Sequence, residues 1–464
     1  MKKTKIVCTI GPASDNEITI KALADAGMNV ARLNFSHGDY KEHKARIDKI
    51  KKINKTLEFP IAILLDMQGP EIRTGVLKND MHLKTGDTIT LTTEKSADEK
   101  IYVNYNRLPL DIKQGSEIFI DDGLLSLQVL RKTKTDVICR VLNNAILGSK
   151  KTVNLPGAEI KMPSYTEKDW QDVKFGLEQD VDYIAVSFVR TKKDIIDLRK
   201  FLGVKNGEVG IIAKIEHPKA IENFDDILRV SDSIMIARGD LGVEIPLEKV
   251  PIQQYEIIKK CNHAKKPVIT ATHMLNSMIE NPRPTRAEVT DVANAILIGS
   301  DAVMLSGETA KGKYPVESTK IMSKIALEIE TKIKTRLKDK INKENIPQIV
   351  SHSVALSATM LNAKAIVSFT ETGNTACMLS KYRTPMPIYA LTPKKEVLRK
   401  LALMWGIFPL YLKEHKDLRK MVKNGVSLLK TLKHVKTGDY IVLTAGTDIG
   451  APGTTNFAEI VKIE

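Results

Sequence analysis

Short runs of β-branched and other apolar residues alternate with amphipathic helical stretches along most of the first 330 residues. This alternation is typical of an α/β protein in which helices connect the strands of a parallel sheet. Eight runs are predicted to be strands, at residues 4–11, 29–36, 60–66, 183–189, 210–216, 233–240, 267–272 and 302–308.

The alternation stops between the third and fourth of these runs. Residues 75–93, 101–105 and 117–142 have the pattern of strands separated by glycine-containing turns, without helices. We therefore predict an all-β insertion over residues 70–162. Without it, roughly 234 residues remain up to the end of the eighth unit, close to the ~250 of a (β/α)8 TIM barrel.

A second α/β series follows a lysine-rich stretch at residues 331–347. Helices are predicted from residue 348 and at 375–383 and 394–405, and strands at 365–370, 387–392, 440–444 and 459–463. The predicted domains are a barrel formed by residues 1–69 and 163–335, a β-rich lid at 70–162, and an open α/β domain at 336–464.

Composition narrows the class of protein. The 464 residues are 42% apolar and 27% charged, and no uninterrupted apolar run approaches the roughly 18 to 20 residues that cross a bilayer. Met-Lys-Lys at the start is followed by a segment too short and too polar for the apolar part of a signal peptide. We therefore expect a chain without a targeting signal.

Cysteine and charge patterns agree with that expectation. Cys8, Cys139, Cys261 and Cys377 are too far apart for a disulfide framework or a metal site, which favours the reducing cytoplasm. The net charge is +15, but its lysines are dispersed and no basic stripe with interleaved aromatic residues occurs. We therefore expect no nucleic-acid binding.

Polar residues stand where the apolar strands end. Arg32, Asn34 and Ser36 are two residues apart and would share one face of the second strand. Further strand ends carry Asp66, Lys214, Glu216, Asp240, Thr272, Ser306 and Glu308. If the strands close into a barrel, these groups converge on its carboxyl-terminal mouth, where barrel active sites lie. Any single polar strand end could merely face solvent.

Two carboxylates on adjacent strands, Glu216 and Asp240, suit Mg²⁺ because they leave coordination positions open for substrate oxygens and water. Lys214 would place its ammonium beside that metal, where it could stabilise a developing oxyanion. Ordinary surface lysines are common, but Lys214 follows the apolar run 210–213.

Three further groups of residues suit ionic ligands. Asn34, Ser36 and Asp66 form a weak-field oxygen set that suits a monovalent cation. Arg32 and Arg73 can clamp phosphoryl oxygens. The turn at residues 237–240 offers backbone N–H groups to a carboxylate.

These residues lie within a series of longer motifs that closely resemble those of the pyruvate kinase family. The motifs are TKIVCTIGPAS from Thr4, AGMNVARLNFSHG from Ala26, GPEIRTG from Gly69, GSKKTVNLPG from Gly148, AKIE from Ala213, MIARGDLGVEIP from Met235, ATHMLNSM from Ala271, PRPTRAEVTDVANA from Pro282, LSGETAKGKYP from Leu305 and, near the end, TAGTDIGAPGTTN. The resemblance extends in order from residue 4 to about 460.

The resemblance implies phosphoryl transfer from phosphoenolpyruvate to ADP in glycolysis, giving pyruvate and ATP in a cytoplasmic homotetramer. It also implies a role for each matching residue. Catalytic roles fall to Lys214, Thr272 and Arg32, and substrate contacts to Arg32, Gly239, Asp240 and Thr272. Nucleotide contacts fall to Asn34, His37, Arg73 and Lys151. Mg²⁺ would be held by Glu216 and Asp240, and K⁺ by Asn34, Ser36, Asp66 and the carbonyl of Met67.

One segment departs from the family pattern. Potassium-dependent members usually read Asp-Thr-Lys-Gly-Pro-Glu, whereas this chain has Met67 and Gln68 after Asp66. Both changes lean toward the potassium-independent pattern, in which a lysine replaces the glutamate. Glu71 is retained here, and only the backbone of Met67 would be a ligand, so we predict that K⁺ binds.

In the C-terminal domain, the segment from Thr370 to Thr375 could cradle the phosphate of an effector, or simply be a capped turn between strand and helix. Asn374 stands where the family often has a basic residue, and the effector's identity is left open. Two other functions are also kept open: a Mg²⁺-dependent lyase acting on pyruvate enolates, and a secondary polyanion-binding role.

Overall fold

The computed structural model describes residues 1–95, 100–203, 209–338, 344–448 and 453–464. The chain begins with three parallel strands and two helices. They are β1 Lys5–Thr9, α1 Glu17–Ala26, β2 Val30–Asn34, α2 Tyr40–Asn54 and β3 Ala62–Asp66.

An insertion of short strands follows β3. Its elements are β4 Met81–Leu83, β5 Thr88–Thr92, β6 Ile101–Tyr102, α3 Leu108–Asp111, β7 Glu117–Ile120, β8 Leu125–Lys132, β9 Asp136–Val141, β10 Ala145–Leu147 and β11 Val153–Asn154. They form a two-stranded sheet and a six-stranded sheet in the order β11-β7-β8-β9-β5-β6. Alternate residues of β8 are buried, which places one face of that strand in the insertion's own apolar core.

The expectation that this insertion contains no helix is wrong at α3. A proline in its first turn is compatible with the start of a helix, and Arg107 pairs with Asp111 one turn later. The proposed limits of the lid, 70 and 162, stay a prediction.

The chain then returns to strand and helix alternation. The elements are α4 Glu167–Glu178, β12 Tyr183–Val186, α5 Lys192–Leu202, β13 Gly210–Ile215, α6 Pro218–Glu222, α7 Phe224–Val230, β14 Ser233–Ala237, α8 Arg238–Glu244, α9 Val250–Ala264, β15 Val268–Ala271, α10 Arg286–Ile298, β16 Ala302–Leu305, α11 Gly307–Ala310 and α12 Pro315–Glu330. Eight parallel strands close in the order β1-β2-β3-β12-β13-β14-β15-β16, which confirms the predicted barrel.

The observed strands are shorter than predicted at the mouth. Ser36 lies in a turn beyond β2, and Asp240 lies in the first turn of α8 rather than at the end of a strand. The hydrogen-bonded ladder ends where the barrel opens, so these polar residues belong to the loops that rim it.

The C-terminal region is an open α/β sheet, as predicted. Its elements are α13 Ile346–Met360, β17 Ala365–Phe369, α14 Asn374–Ser380, β18 Ile388–Thr392, α15 Lys395–Leu401, β19 Ile407–Tyr411, α16 Leu418–Thr431, β20 Tyr440–Gly446 and β21 Thr455–Lys462. The strand order is β19-β18-β17-β20-β21, and β21 is antiparallel to β20. Strand β19 and helix α16 were not predicted.

One contact is repeated four times at the amino-terminal end of the barrel strands. The residue before every second strand accepts a hydrogen bond from a backbone N–H of the preceding strand and another from a cationic side chain. The backbone donors to Asn29, Asp182, Asp232 and Asp301 are Ile6, Ile63, Ile211 and Val268, at 2.7–3.0 Å. The cations, in the same order, are Lys2, Arg399, Arg199 and Arg383, at 2.6–2.9 Å.

Two of those cations come from the C-terminal domain. Arg383 pairs with Asp301 before β16, and Arg399 pairs with Asp182 before β12, four strands away around the barrel. The C-terminal domain is therefore fixed to opposite sides of the barrel's amino-terminal end, away from the mouth. Among the described residues, no helix has the length and apolarity needed to cross a membrane.

Candidate functional site

Three predicted site residues meet at the centre of the barrel mouth. Lys214 lies near the end of β13, Glu216 directly follows that strand, and Asp66 ends β3. The Lys214 Nζ atom is 3.4 Å from both Asp66 Oδ1 and Glu216 Oε2, and both carboxylates are almost completely buried. The site thus holds an ammonium group between two buried carboxylates, and the strand ends that carry these groups meet at the mouth.

Arg32 adds a second cation to the same group. Its Nε atom lies 2.6 Å from Asp66 Oδ2, and its Nη1 donates to Thr9 Oγ1 at 2.9 Å. Burial by itself would raise the pKa of Asp66, but Lys214 and Arg32 outweigh it and hold that pKa below its usual value. Asp66 is therefore ionised and fixes the position of both cations.

Glu216 has one oxygen that accepts a hydrogen bond and one that accepts none. Its Oε1 accepts the Phe188 N–H at 2.5 Å, whereas the buried Oε2 has no hydrogen-bond partner in the described part of the chain. Burial raises the pKa of Glu216 to about 7; Lys214 opposes this shift, and Asp240 adds to it. The pKa of Asp240 is also raised, again mainly by burial. A divalent cation would relieve both effects, and carboxylate oxygens are its preferred ligands, so the pair fits Mg²⁺.

Thr272 and Gly239 face each other across two adjacent strand ends. Gly239 donates its backbone N–H to Thr272 Oγ1 at 2.7 Å, so this N–H does not point freely into the mouth. Thr272 has a positive φ of 68°, and Arg238 holds the carbonyls of Ala271 and Thr272 at 3.2 and 2.8 Å. The arginine thus supports a strained backbone at Thr272, whose hydroxyl donates its own proton to the Ala271 carbonyl at 2.6 Å.

The predicted monovalent-ion residues also lie together. Asn34 and Asp66 are register partners on β2 and β3. Asn34 Oδ1 accepts the Ser36 N–H at 3.1 Å, and Met67 follows Asp66 with its carbonyl accepting a hydrogen bond from Ser187 Oγ at 2.7 Å. The Oδ1 atom of Asp66 is buried without a hydrogen-bond partner among the described residues. These oxygens are of the neutral and singly charged types that suit K⁺.

Three of the four residues predicted to contact the nucleotide lie further out than Asn34. Arg73 pairs with Glu71 at 2.7 Å and donates to the Lys150 carbonyl, and Lys151 pairs with Asp121 at 2.8 Å. His37 is exposed in the turn after β2. Within the described ranges, none of these three side chains bonds to the central carboxylates.

A cleft connects the inserted β domain to the barrel mouth. It is a cavity of about 70 Å³ whose lining includes Glu71 and Asp122 on the insertion side and Asp240 on the barrel side. Asn154 crosses it, donating to Glu244 of α8 at 2.8 Å. Asp122 and Glu71 both raise the pKa of Asp240, so the edge of the insertion lies close enough to act on the site electrostatically.

Sequence reasoning missed several residues of this site. Ser187 follows β12 and Thr9 ends β1, so the rule that found the other polar strand ends applied to them too. Arg238 and Glu244 act through neighbouring groups, and no local pattern marked them. In the described part of the chain, no cluster of three or more His, Cys, Asp or Glu side chains could hold a metal ion by itself. A metal held by two carboxylates would need substrate oxygens or water to complete its coordination.

Comparison with known proteins gives a consistent result. A family model described as pyruvate kinase, barrel domain, matches residues 1–319, and one described as pyruvate kinase, alpha/beta domain, matches 348–461. Proteins named pyruvate kinase from Staphylococcus saprophyticus and Staphylococcus haemolyticus are each 49% identical over 470 residues, and one from Staphylococcus aureus is 47% identical over 469. Each alignment covers 99% of this chain and 80% of the relative.

The matches confirm the resemblance inferred from the motifs. They favour a phosphotransferase over a lyase on the same barrel. The chain belongs to the pyruvate kinase family of phosphotransferases.

Proposed function

We propose that this protein transfers the phosphoryl group of phosphoenolpyruvate to ADP, in a reaction that is reversible in principle. The bond between phosphorus and the enol oxygen breaks, a bond to the terminal phosphate oxygen of ADP forms, and the enolate takes up a proton to become pyruvate. The observation that carries the proposal is the Lys214 ammonium, 3.4 Å from two buried carboxylates at the barrel mouth.

Lys214 is proposed to stabilise negative charge on the enol oxygen as the phosphoryl group leaves. Burial alone would lower its pKa, but Asp66, Glu216 and Asp240 raise that pKa above its usual value, so Lys214 is a permanent cation. It therefore acts electrostatically and not as a proton donor. Thr272, whose hydroxyl is fixed by Gly239, is proposed to relay the proton to the enolate.

Glu216 and Asp240 are proposed to hold Mg²⁺. The support is Glu216 Oε2, which accepts no hydrogen bond from the described residues, and the raised pKa values of both carboxyls. When bound, the ion neutralises phosphoryl oxygens and orients them. Asn34, Ser36, Asp66 and the Met67 carbonyl are proposed to hold K⁺. Arg32 would contact the phosphoryl group, because its guanidinium is fixed by Asp66 and Thr9.

The inserted β domain is proposed to act as a lid that carries nucleotide contacts and excludes water from the transfer. Arg73 and Lys151 project from it, and both are now paired with carboxylates. We propose that phosphates of ADP replace Glu71 and Asp121 as the partners of these cations. Asn34 and the exposed His37 would contact the nucleotide from the barrel side.

The segment from Thr370 to Thr375 is proposed to bind a phosphorylated effector. It lines a cavity of about 60 Å³ together with Lys413, His415 and Thr455, which supply an ammonium, an imidazole and a hydroxyl group. Thr370 Oγ1 also caps the Gly373 N–H at 2.9 Å, as an ordinary turn would. Residues 449–452 of the adjacent family motif lie outside the described residues. A homotetramer acting in cytoplasmic glycolysis is proposed from family membership.

The test is a steady-state assay of ATP formation with the purified protein, omitting each substrate and Mg²⁺ in turn. We expect ATP only when phosphoenolpyruvate, ADP and Mg²⁺ are all present. Release of pyruvate without ADP, at a rate equal to that with ADP, would contradict phosphoryl transfer.

A further inference from the structure

The turn after β12 contacts three functional groups of the site through two adjacent residues. Ser187, which is buried, accepts a hydrogen bond from Lys214 Nζ at 2.7 Å and donates one to the Met67 carbonyl at 2.7 Å. The next residue, Phe188, donates its N–H to Glu216. One turn therefore touches the ammonium, the proposed K⁺ ligand and the proposed Mg²⁺ ligand.

The direction of these bonds is fixed by chemistry. An ammonium has donors only, so Ser187 must be the acceptor from Lys214. A hydroxyl has a single proton, and it is used on the Met67 carbonyl. That carbonyl has a second lone pair and can still coordinate a cation. Ser187 Oγ thus links the Met67 carbonyl, a proposed K⁺ ligand, to the ammonium of Lys214.

The backbone around Ser187 is closely fitted to this role. Phe188 has a positive φ of 53°, and Met67 donates its N–H to the Ala185 carbonyl at 3.0 Å. Gly69 also has a positive φ, and a Cβ there would lie 2.8 Å from Ser187 Cβ. The turns after β3 and β12 therefore pack closely against each other, and the Ser187–Met67 hydrogen bond joins them.

We propose that Ser187 is a positioning residue that couples the monovalent-cation site to Lys214. This inference rests on the proposed function. Without the hydroxyl, Lys214 would keep only its two longer contacts, at 3.4 Å, to Asp66 and Glu216. The ammonium would then be free to shift toward either carboxylate, and the Met67 carbonyl would lose the donor that orients it.

The experiment compares Ser187→Ala, Ser187→Thr and the parent protein, with Ser233→Ala as the matched control. Ser233 is also a buried barrel serine, but it lies at the start of β14 and its hydroxyl has no hydrogen-bond partner among the described residues. For Ser187→Ala we expect kcat to fall about 10- to 100-fold while KM for phosphoenolpyruvate changes less than about threefold. The K⁺ concentration for half-maximal activity should rise at least about fivefold. In Ser187→Thr, which keeps the hydroxyl, most of the fall in kcat and most of the rise in K⁺ requirement should be absent. Ser233→Ala should have the parental kcat and K⁺ requirement.

A second measurement, of the melting temperature, does not depend on catalysis. The rise in melting temperature caused by K⁺, relative to an organic cation at equal ionic strength, should fall by at least about half in Ser187→Ala and persist in Ser187→Thr. If Ser187→Ala does not fold, Ser187→Cys, which keeps the volume and weakens the hydrogen bonds, should show the same changes to a smaller degree.

Parental K⁺ dependence in a folded Ser187→Ala, in either measurement, would overturn the coupling, even if kcat fell. A parent protein that binds K⁺ but makes no ATP would refute the proposed function and leave the thermal measurement as the test of the coupling.

Discussion

Replacing Lys214 by methionine should abolish most phosphoryl transfer while leaving the fold and Mg²⁺ binding in place. Methionine fills a similar volume without charge. Asp66 would keep its 2.6 Å ion pair with Arg32, and Glu216 would keep the Phe188 N–H. The remaining hydrogen bonds at the mouth therefore hold the two carboxylates in position.

The expected loss follows from the geometry. At 3.4 Å, the distance of Lys214 Nζ from each carboxylate, a full unit charge at an effective dielectric near 20 interacts by about 5 kcal/mol. We take between half and all of a unit negative charge to develop on the enol oxygen, at a similar distance from Lys214 Nζ. Removing the ammonium then costs the transition state about 2.5 to 5 kcal/mol of electrostatic stabilisation. Since about 1.36 kcal/mol of activation free energy corresponds to a tenfold change in rate, kcat should fall by about two to four orders of magnitude.

The assay is initial-rate ATP formation at saturating phosphoenolpyruvate, ADP, Mg²⁺ and K⁺, together with a Mg²⁺ titration and thermal unfolding. Lys5→Met is a matched control, because Lys5 is also a buried barrel lysine but bonds to the Ile407 carbonyl at the other end of the barrel. Burial and the nearby Lys2 lower the pKa of Lys5 to about 7. Activity of Lys214→Met within tenfold of the parent would refute the electrostatic role.

The site and the fold support five further predictions. Glu216→Ala or Asp240→Ala should raise the Mg²⁺ requirement sharply, and an unchanged titration would refute the ligand assignment. Burial, with Asp240 adding to it, raises the pKa of Glu216 to about 7, so Mg²⁺ must displace a proton below that pH. The parent's Mg²⁺ requirement should therefore rise as the pH falls through 7 and level off above it. K⁺ should activate strongly over an organic cation at matched ionic strength, and Glu71→Lys should reduce that dependence; full activity without K⁺ would contradict the proposed site. Bridging residues 70–162 with a short linker should leave a folded barrel that makes no ATP, and a parental rate would show that the lid is dispensable. Arg383→Met should lower the free energy of unfolding by about 3 to 5 kcal/mol, because it leaves a buried aspartate unpaired; no loss in chemical denaturation would contradict that contact.

The sequence identified all eight barrel strands because each is an apolar run bounded by polar residues. It missed β19 because Pro409 interrupts the pattern, and proline is tolerated there only since β19 is an edge strand. It missed α16 because Gly425 lies in the helix interior, where glycine weakens a helical pattern. A Cβ at Gly425 would lie 2.8 Å from the Phe369 ring, so tertiary packing requires a residue that local propensity disfavours.

The sequence predicted which residues belong to the candidate site but not the hydrogen bonds that connect them. Strand-end position located Lys214, Glu216 and Asp66, because parallel strands bring their carboxyl ends to one mouth. The serine that joins Lys214 to the Met67 carbonyl could not be assigned that role, since its hydrogen bonds depend on how two distant turns interlock. The fourfold contact at the amino-terminal end of the barrel was equally hidden, because its donors and acceptors are up to 217 residues apart.

The central claim is tested most directly by following phosphorus during turnover. Phosphoenolpyruvate and ADP are mixed with the parent protein, Mg²⁺ and K⁺, and the products are observed by ³¹P NMR. We predict that the phosphoenolpyruvate signal is replaced one for one by the γ-phosphate signal of ATP, and that Lys214→Met shows neither change on the same timescale. Growth of an inorganic phosphate signal instead of ATP, or persistence of phosphoenolpyruvate with the parent protein, would contradict the assignment.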